Sequence, residues 1–162
     1  MTLSTTTVDT PIGPLQLVAS ETGLREVLFA GQAPSAGEPA ADGGSPVLDE
    51  AARQLREYFD GARTDFTVPL DLAGTPFQIT AWRALAEIPY GETVSYAEEA
   101  RRLGRPRAVR AVGAANGRNP VPIVLPCHRV IGTNGSLTGF GGGLHVKRAL
   151  LDHEAGVQPL TS

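Results

Sequence analysis

The sequence predicts an α+β fold, in which a small N-terminal mixed α/β domain precedes a mainly helical C-terminal domain. Two observations predict it. Short segments divided by Pro and Gly turns fill the chain before Gly31, which is typical of strands. After Thr75, capped segments with helical spacing dominate. The 162 residues suffice for two small domains, which we place at 1–72 and 75–156, with a tail at 157–162.

The N-terminal domain is predicted to begin with three strands joined by tight turns, Thr5–Asp9, Leu15–Ala19 and Leu24–Phe29. Residues 31–46 contain four Gly and three Pro and almost no large apolar side chain, so we expect a mobile loop there.

A helix is expected over 47–59, because apolar residues recur there at every fourth position. Phe66–Leu70 can add another strand, and Asp71–Gly74 has the position of a linker to the second domain.

The second domain opens with a capping box, in which Thr75 caps the helix, Pro76 suits its first position and Gln78 closes the box. The spacing of apolar residues predicts that this helix runs to about Ile88.

A second capping box, Ser95 with Glu98, predicts a helix that lasts to Leu103. After a turn at Gly104-Arg105-Pro106, a further helix is expected from about Pro106 to Ala115. This helix-turn-helix pattern occurs in DNA-binding proteins and also in other helical bundles.

Charge is distributed unevenly along the chain. The net charge is −3, but residues 100–151 contain no Asp or Glu and carry +9, which leaves −12 for the remainder. The basic residues of this segment are Arg101, Arg102, Arg105, Arg107, Arg110, Arg118, Arg129, Lys147 and Arg148. Such a basic block fits a phosphate-facing surface, and equally a solvated face paired with acidic neighbours. Its coincidence with the helix-turn-helix pattern favours a DNA-binding role.

Two features bear on the compartment. No stretch reaches the roughly 18 apolar residues of a membrane-spanning helix, and the Thr-rich start lacks a secretory pattern, so we expect a cytoplasmic protein without a membrane partner. The single cysteine, Cys127, excludes an intramolecular disulfide and is expected to be a free thiol.

Cys127 follows an apolar run at a predicted helical turn, where it is a candidate nucleophile. The helix N-terminus, with Arg129 and His128 nearby, is expected to lower the pKa of the thiol. His128 is a candidate base, and Asp152 or Glu154 could orient its ring. An adjacent Cys-His pair alone favours the alternative of a buried thiol beside a satisfied core histidine.

The segment Val121–Val130 resembles the active-site signature of the O6-alkylguanine-DNA alkyltransferase family. The resemblance covers about residues 75–156, including Tyr90–Tyr96, Arg110–Gly113, Asn119-Pro120 and Gly139–Gly143. The N-terminal half is similar to the smaller bacterial members more loosely. The resemblance implies a ribonuclease H-like N-terminal domain and a winged-helix-like C-terminal domain.

The resemblance implies DNA repair by direct damage reversal. Family members flip the damaged base through the minor groove, because a stacked duplex hides the O6 substituent. They then move the alkyl group irreversibly to a cysteine, here Cys127, in a single turnover. The expected partner is double-stranded DNA containing O6-alkylguanine, with O4-methylthymine as a second substrate. No cofactor is expected, and the protein is expected to be a monomer that can cluster on DNA.

The resemblance also implies site residues. Cys127 is the nucleophile, His128 takes its proton through a water molecule, and Glu154 orients His128. Tyr96 hydrogen-bonds or protonates the guanine ring, and Asn119 braces the chain. The expected DNA-binding residues are Arg110, which enters the space left by the base, and Ala111, Gly113, Ala114, Ser95 and Arg118. The expected pocket residues are Val130, Phe140, Gly141 and Lys147.

Phosphate and metal sites are not expected. The Gly139–Gly143 segment lacks a following Gly-Lys-Ser/Thr and is expected to form a flexible wall of the base pocket. His145, His153 and His128 have no recognised metal-ligand spacing with Cys127.

Two residues depart from the family pattern. Phe140 stands where many members have tyrosine, which leaves the preferred alkyl size open. Glu99 stands at a position that is usually aliphatic, and burial without a partner would be costly. We therefore expect Glu99 to reach solvent or to pair with Arg102 or Arg83.

Three other functions fit part of the sequence. A thiol hydrolase would use Cys127, His128 and Glu154 for acyl transfer, with an oxyanion hole and many turnovers. A transcription regulator would use only the helix-turn-helix. An alkyltransferase-like damage sensor would lack the reactive cysteine, so the presence of Cys127 argues against that class.

Overall fold

The computed structural model describes residues 2–39, 41–42, 44–135 and 140–156. The chain divides into two compact units, Met1–Ala73 and Gly74–Ser162. A sheet with one helix forms the first unit and helices dominate the second, which confirms the predicted α+β class. The predicted tail lies outside the described residues.

A four-stranded sheet forms the centre of the first unit. Its strands are β1 (Ser4–Val8), β2 (Leu15–Ala19), β3 (Leu24–Leu28) and β4 (Ala41–Asp42). The order is β3-β2-β1-β4, with β2 antiparallel to β1 and β3, and β4 parallel to β1. The three predicted strands are confirmed. Strand β4 lies within the segment expected to be a loop, because two residues are too few to produce a recognisable alternation.

Helix α1 (Pro46–Phe59) confirms the predicted helix and packs against this sheet. It begins at Ser45, whose hydroxyl accepts a hydrogen bond from the Leu48 amide at 3.2 Å. Leu48, Leu55 and Tyr58 are fully buried along the face that contacts the strands. The predicted four-residue spacing coincides with this face only in part, since its first and last residues are half-buried.

The prediction of a strand at 66–70 is wrong. The segment forms one isolated parallel bridge, between Leu70 and Leu24. Two features prevent a longer ladder. The Thr67 amide donates to the side-chain carbonyl of Gln54 at 2.9 Å, and Pro69 has no N–H to donate. The segment therefore uses side-chain contacts where a strand would use backbone pairing.

Eight short elements lie within the described residues of the second unit. In chain order they are α2 (Pro76–Ala84), a 3-10 helix (Leu85–Glu87), β5 (Val94–Ser95), α3 (Tyr96–Arg102), α4 (Val109–Gly117), a second 3-10 helix (Cys127–Arg129), β6 (Val130–Ile131) and α5 (Leu144–Glu154). β5 and β6 pair in parallel, and α4 contacts both α2 and α3. The Trp82 indole N–H donates to the Ala115 carbonyl at 2.7 Å and thereby ties α2 to α4. Within the described residues, no helix is long and apolar enough to span a membrane.

The first predicted capping box is confirmed. The Thr75 hydroxyl accepts from the Gln78 amide, and the Gln78 side chain accepts from the Thr75 amide. The helix nevertheless ends at Ala84, earlier than predicted, because the chain tightens into a 3-10 turn before Ile88.

The second predicted box forms only in part. The Ser95 hydroxyl accepts from the Glu98 amide at 3.0 Å, as a helix cap does. The Glu98 carboxylate, however, pairs with Arg101 and Arg102 at the surface. Helix α4 then starts at Val109, later than predicted.

Candidate active site

Cys127 begins the 3-10 turn that follows a fully buried segment, residues 121–126. Within that segment the Leu125 amide donates to the Val121 carbonyl at 3.0 Å, and Ile123 has a φ of 74°. A β-branched residue in this left-handed region costs about 1–3 kcal/mol, so the surrounding core must hold the turn. The turn sets Cys127 just beneath the surface, with 6% of the residue exposed.

The pKa of the Cys127 thiol is raised to about 11, so the predicted lowering is wrong. Burial is the largest cause, and the Glu99 carboxylate, when ionised, raises the pKa further. The Asn119 side chain and the Lys147 ammonium lower it without compensating. A single 3-10 turn offers too few aligned amides to offset the loss of hydration. At neutral pH the resting group is therefore a thiol.

His128 is held by Glu154 and not by Asp152, the other candidate carboxylate. The His128 Nε2 atom lies 2.6 Å from Glu154 Oε2, and both side chains are buried. Burial lowers the pKa of His128, so the ring is neutral and Nε2–H donates to the carboxylate. The buried Nδ1 atom has no hydrogen-bond partner among the described residues. His128, the residue that follows Cys127, thus has a ring nitrogen that can accept a proton.

Arg129 binds the same carboxylate and does not act on the thiol as predicted. Its Nε and Nη2 atoms donate to the two Glu154 oxygens at 2.8 Å and 3.0 Å, and Nη1 donates to the Ile88 carbonyl. The Gly91 amide adds a bond of 3.2 Å to Oε1. These contacts orient the carboxylate, because a two-bonded guanidinium permits few other geometries. This pairing was not predicted from the sequence.

Asn119 connects two parts of the turn that precedes Cys127. Its Nδ2 donates to the Leu125 carbonyl at 2.7 Å, and its Oδ1 accepts from the Val121 amide at 2.9 Å. Both bonded groups are in the buried segment. Asn119 therefore satisfies backbone groups that the turn would otherwise leave unpaired.

A cleft of about 520 Å³ lies in the second unit. Its lining residues are Tyr96, Val109, Arg110, Gly113, Gly117, Phe140 and Gly141. A Cβ atom on Gly113 would lie 3.9 Å from the Tyr96 ring, an ordinary van der Waals distance, so α4 passes close to that ring. One cleft is thus lined by Arg110 and by four other residues that were predicted for the site, Tyr96, Gly113, Phe140 and Gly141.

Lys147 is fully buried and is not among the residues that line this cleft, although it was expected as a pocket residue. Its Nζ atom donates to the Val130 carbonyl at 2.7 Å and lies 5.8 Å from the centre of the Tyr96 ring. Burial lowers the pKa of Lys147. Lys147 therefore joins α5 to β6 at the site.

The remaining predicted DNA-binding residues lie on or beside α3 and α4. Ala111, Ala114, Arg110 and Arg118 are exposed, and Ser95 is half-buried as the cap of α3. Of the nine basic residues in the block, Arg129 and Lys147 are buried and the others are exposed. Among the described residues, no group of three His, Cys, Asp or Glu side chains could hold a metal ion. Gly139 lies outside the described residues.

Glu99 contradicts its prediction. It is 2% exposed, and its Oε1 atom accepts from Asn116 Nδ2 at 2.8 Å. The expected partner Arg102 pairs with Glu98 at the surface. The register of α3 turns Glu99 toward α4, and the partner on α4 lies too far along the chain to be recognised from local spacing.

Two family models match the chain. Residues 3–72 match the ribonuclease-like domain of 6-O-methylguanine DNA methyltransferase, and residues 76–156 match its DNA binding domain.

Individual relatives are similar over nearly the whole chain. A methylated-DNA--protein-cysteine methyltransferase of Mycobacterium tuberculosis is 50% identical over 155 residues, which are 94% of this chain and 93% of the relative. The crystal structure of the M. tuberculosis O6-methylguanine methyltransferase has a TM-score of 0.88 and 48% identity, covering 98% of this chain and 96% of that one. The structure of M. tuberculosis OGT in complex with DNA has a TM-score of 0.85 and 47% identity, covering 97% and 96%.

Proposed function

The chain belongs to the 6-O-methylguanine DNA methyltransferase family, and we propose that it repairs DNA by moving an alkyl group from guanine O6 to Sγ of Cys127. One observation carries the assignment of the site. His128 has its Nε2 atom bound to Glu154, while Nδ1 is buried without a partner among the described residues, next in sequence to the thiol. This arrangement suits removal of one proton from Cys127.

The transfer is a single displacement. His128 accepts the thiol proton at Nδ1 through a water molecule, and Glu154 stabilises the imidazolium that results. The sulfur then forms a bond to the alkyl carbon as the bond from that carbon to O6 breaks, and the electron pair remains on guanine. Proton removal accompanies the attack, because a thiol with a pKa of about 11 is protonated at neutral pH.

Tyr96 assists departure of the guanine. Guanine leaves as an anion unless its ring gains a proton, and a phenol beside the base can donate one. The position of Tyr96 in the cleft wall and the nearby Lys147 ammonium, 5.8 Å from the ring centre, support this role. The products are S-alkylcysteine and unmodified guanine, so each molecule acts once.

The damaged base reaches the site by leaving the duplex. Exposed Arg110 on α4 lines the cleft and is proposed to occupy the space that the base vacates, in the minor groove. The small residues Ala111, Gly113 and Ala114 favour close approach of DNA. We extend the proposal to O4-methylthymine as a substrate and to the cytoplasm as the location.

Acyl transfer by a thiol hydrolase is disfavoured by the backbone at Cys127. Such enzymes stabilise an oxyanion with free amides, commonly including that of the nucleophile. The Cys127 amide instead donates to the Leu125 carbonyl at 2.8 Å. A simple displacement at carbon needs no oxyanion hole.

The test is to incubate the protein with duplex DNA that carries O6-methylguanine and to determine the intact mass and the modified peptide. We expect one methyl group on Cys127, with repair stopping at about one equivalent of DNA. The Cys127→Ser variant should retain DNA binding and lose transfer. Continued turnover, or the absence of a methyl adduct, refutes the proposal.

A further inference from the structure

Glu99 on α3 and Asn116 on α4 form a buried contact that leaves two acceptor atoms unsatisfied. Asn116 Nδ2 donates to Glu99 Oε1 at 2.8 Å. Glu99 Oε2 and Asn116 Oδ1 are also buried, and neither has a hydrogen-bond partner in the described part of the chain. Buried acceptors without donors are costly. The pair needs one more donor hydrogen, and an ionised carboxylate has none to supply.

One proton on Glu99 would satisfy both atoms. A carboxylic acid and a primary amide have complementary groups, since the acid O–H donates to the amide carbonyl while the amide N–H donates to the acid carbonyl. We propose that Glu99 is a positioning residue that, in its protonated form, bonds Asn116 through both groups and joins α3 to α4 without placing a charge near Cys127.

Within the described part of the chain, no Lys or Arg forms an ion pair with Glu99. On its own helix, Glu98 pairs with Arg101 and Arg102 at the surface. From α4 the facing group is Asn116, and from the active-site turn it is the Cys127 thiol.

Arg129 and Lys147, the buried cations among the described residues of this unit, have other partners. Arg129 binds Glu154, and the Lys147 ammonium donates to the Val130 carbonyl. Burial accordingly raises the pKa of Glu99 to about 7, and the Asn116 bond lowers it only in part.

Ionisation of Glu99 has a consequence for the thiol, and this step rests on the proposed function. A negative charge on Glu99 raises the pKa of Cys127, which opposes loss of the thiol proton during transfer. It also breaks one of the two bonds between α3, which carries Tyr96, and α4, which carries Arg110. Alkyl transfer should therefore lose part of its rate as pH rises through about 7.

The Glu99→Gln variant tests this, because a glutamine amide reproduces the donor and acceptor of the protonated acid at every pH. We expect equal single-turnover transfer rates for the variant and the wild type at about pH 6, and a few-fold faster variant above about pH 8. The matched control is Glu98→Gln, a change to the adjacent half-buried glutamate at the surface, whose rate ratio to wild type should not vary with pH. A ratio for Glu99→Gln that is constant with pH overturns the proposal.

A second measurement needs neither the variant nor DNA. In wild-type protein labelled with ¹³C at the glutamate carboxyl carbons, the Glu99 resonance should titrate with a midpoint near 7. A midpoint near the ordinary glutamate value of 4.5 overturns the proposal. Because this titration is independent of repair, it separates failure of the Glu99 assignment from failure of the proposed function.

Discussion

Nε2 of His128 lies 2.6 Å from Oε2 of Glu154, the last residue of α5. The C-terminal end of a helix disfavours a carboxylate, because the helix dipole is negative there. The guanidinium of Arg129, bonded to both oxygens of Glu154, offsets that disadvantage. Arg129 thus stabilises the position of Glu154, and Glu154 in turn orients His128.

Replacing Glu154 with glutamine should reduce both stability and repair. The change leaves the buried Arg129 guanidinium without its counter-charge, which typically costs about 3–5 kcal/mol. It also removes the charge that stabilises protonated His128, so the single-turnover rate should fall by about a hundredfold or more. Urea unfolding and rapid-quench transfer assays measure the two effects.

The control for this variant is Asp152→Asn, which removes a carboxylate two residues earlier on the same helix. We expect near wild-type stability and transfer for it, since His128 contacts Glu154 alone of the two acids. If the Glu154→Gln and Asp152→Asn variants behave alike, the orienting role of Glu154 is wrong.

The free thiol should react slowly with a small alkylating reagent at neutral pH. Because the pKa of Cys127 is raised to about 11, the thiolate fraction and the iodoacetamide rate should rise about tenfold per pH unit from about pH 7 to 9. The Cys127→Ser variant gives the background reaction. A rate that levels off below about pH 8 would mean that Cys127 is a low-pKa thiolate at rest.

The elements that were predicted correctly are those that local spacing determines. Short segments between Pro and Gly turns mark β2 and β3, and four-residue apolar spacing marks α1. The capping box at Thr75 marks the start of α2. In each case the residues that form the element also carry its signal. The segment at 66–70 has strand-like composition, but Gln54 and Pro69 remove the backbone pairing that a strand requires.

The contacts that escaped prediction join residues far apart in the chain. Arg129 meets Glu154 and Glu99 meets Asn116 only because the helices of the second unit pack together. The pKa of Cys127 likewise depends on how much water the whole surrounding segment excludes. Residue types near a thiol in the sequence indicate which charged side chains are available, but not which partners those side chains contact.

Asn119→Ala should loosen the turn that presents Cys127. The change leaves the buried Leu125 carbonyl and Val121 amide without partners, at a cost of about 1–3 kcal/mol for each group. We expect a lower free energy of unfolding and a slower transfer. The transfer rate should stay below that of the wild type at low temperature as well. Thr133→Ala, at an exposed residue of the same unit, is the control and should change neither. Unchanged stability in Asn119→Ala would show that the two bonds do not brace the turn.

Arg110→Ala should separate base flipping from chemistry. Arg110 is exposed and lines the cleft, so its loss removes the group proposed to fill the vacated space in duplex DNA, where flipping costs a few kcal/mol. Repair of duplex O6-methylguanine should fall by about tenfold or more, since each 1.4 kcal/mol corresponds to about tenfold, while reaction with free O6-alkylguanine base should stay near wild type. Arg107→Ala, at another exposed arginine just before α4, should weaken duplex binding mainly at low salt, as loss of a phosphate contact does. Equal losses on duplex and free base in Arg110→Ala would place Arg110 in the chemical step and contradict its assignment to the flipped-base space.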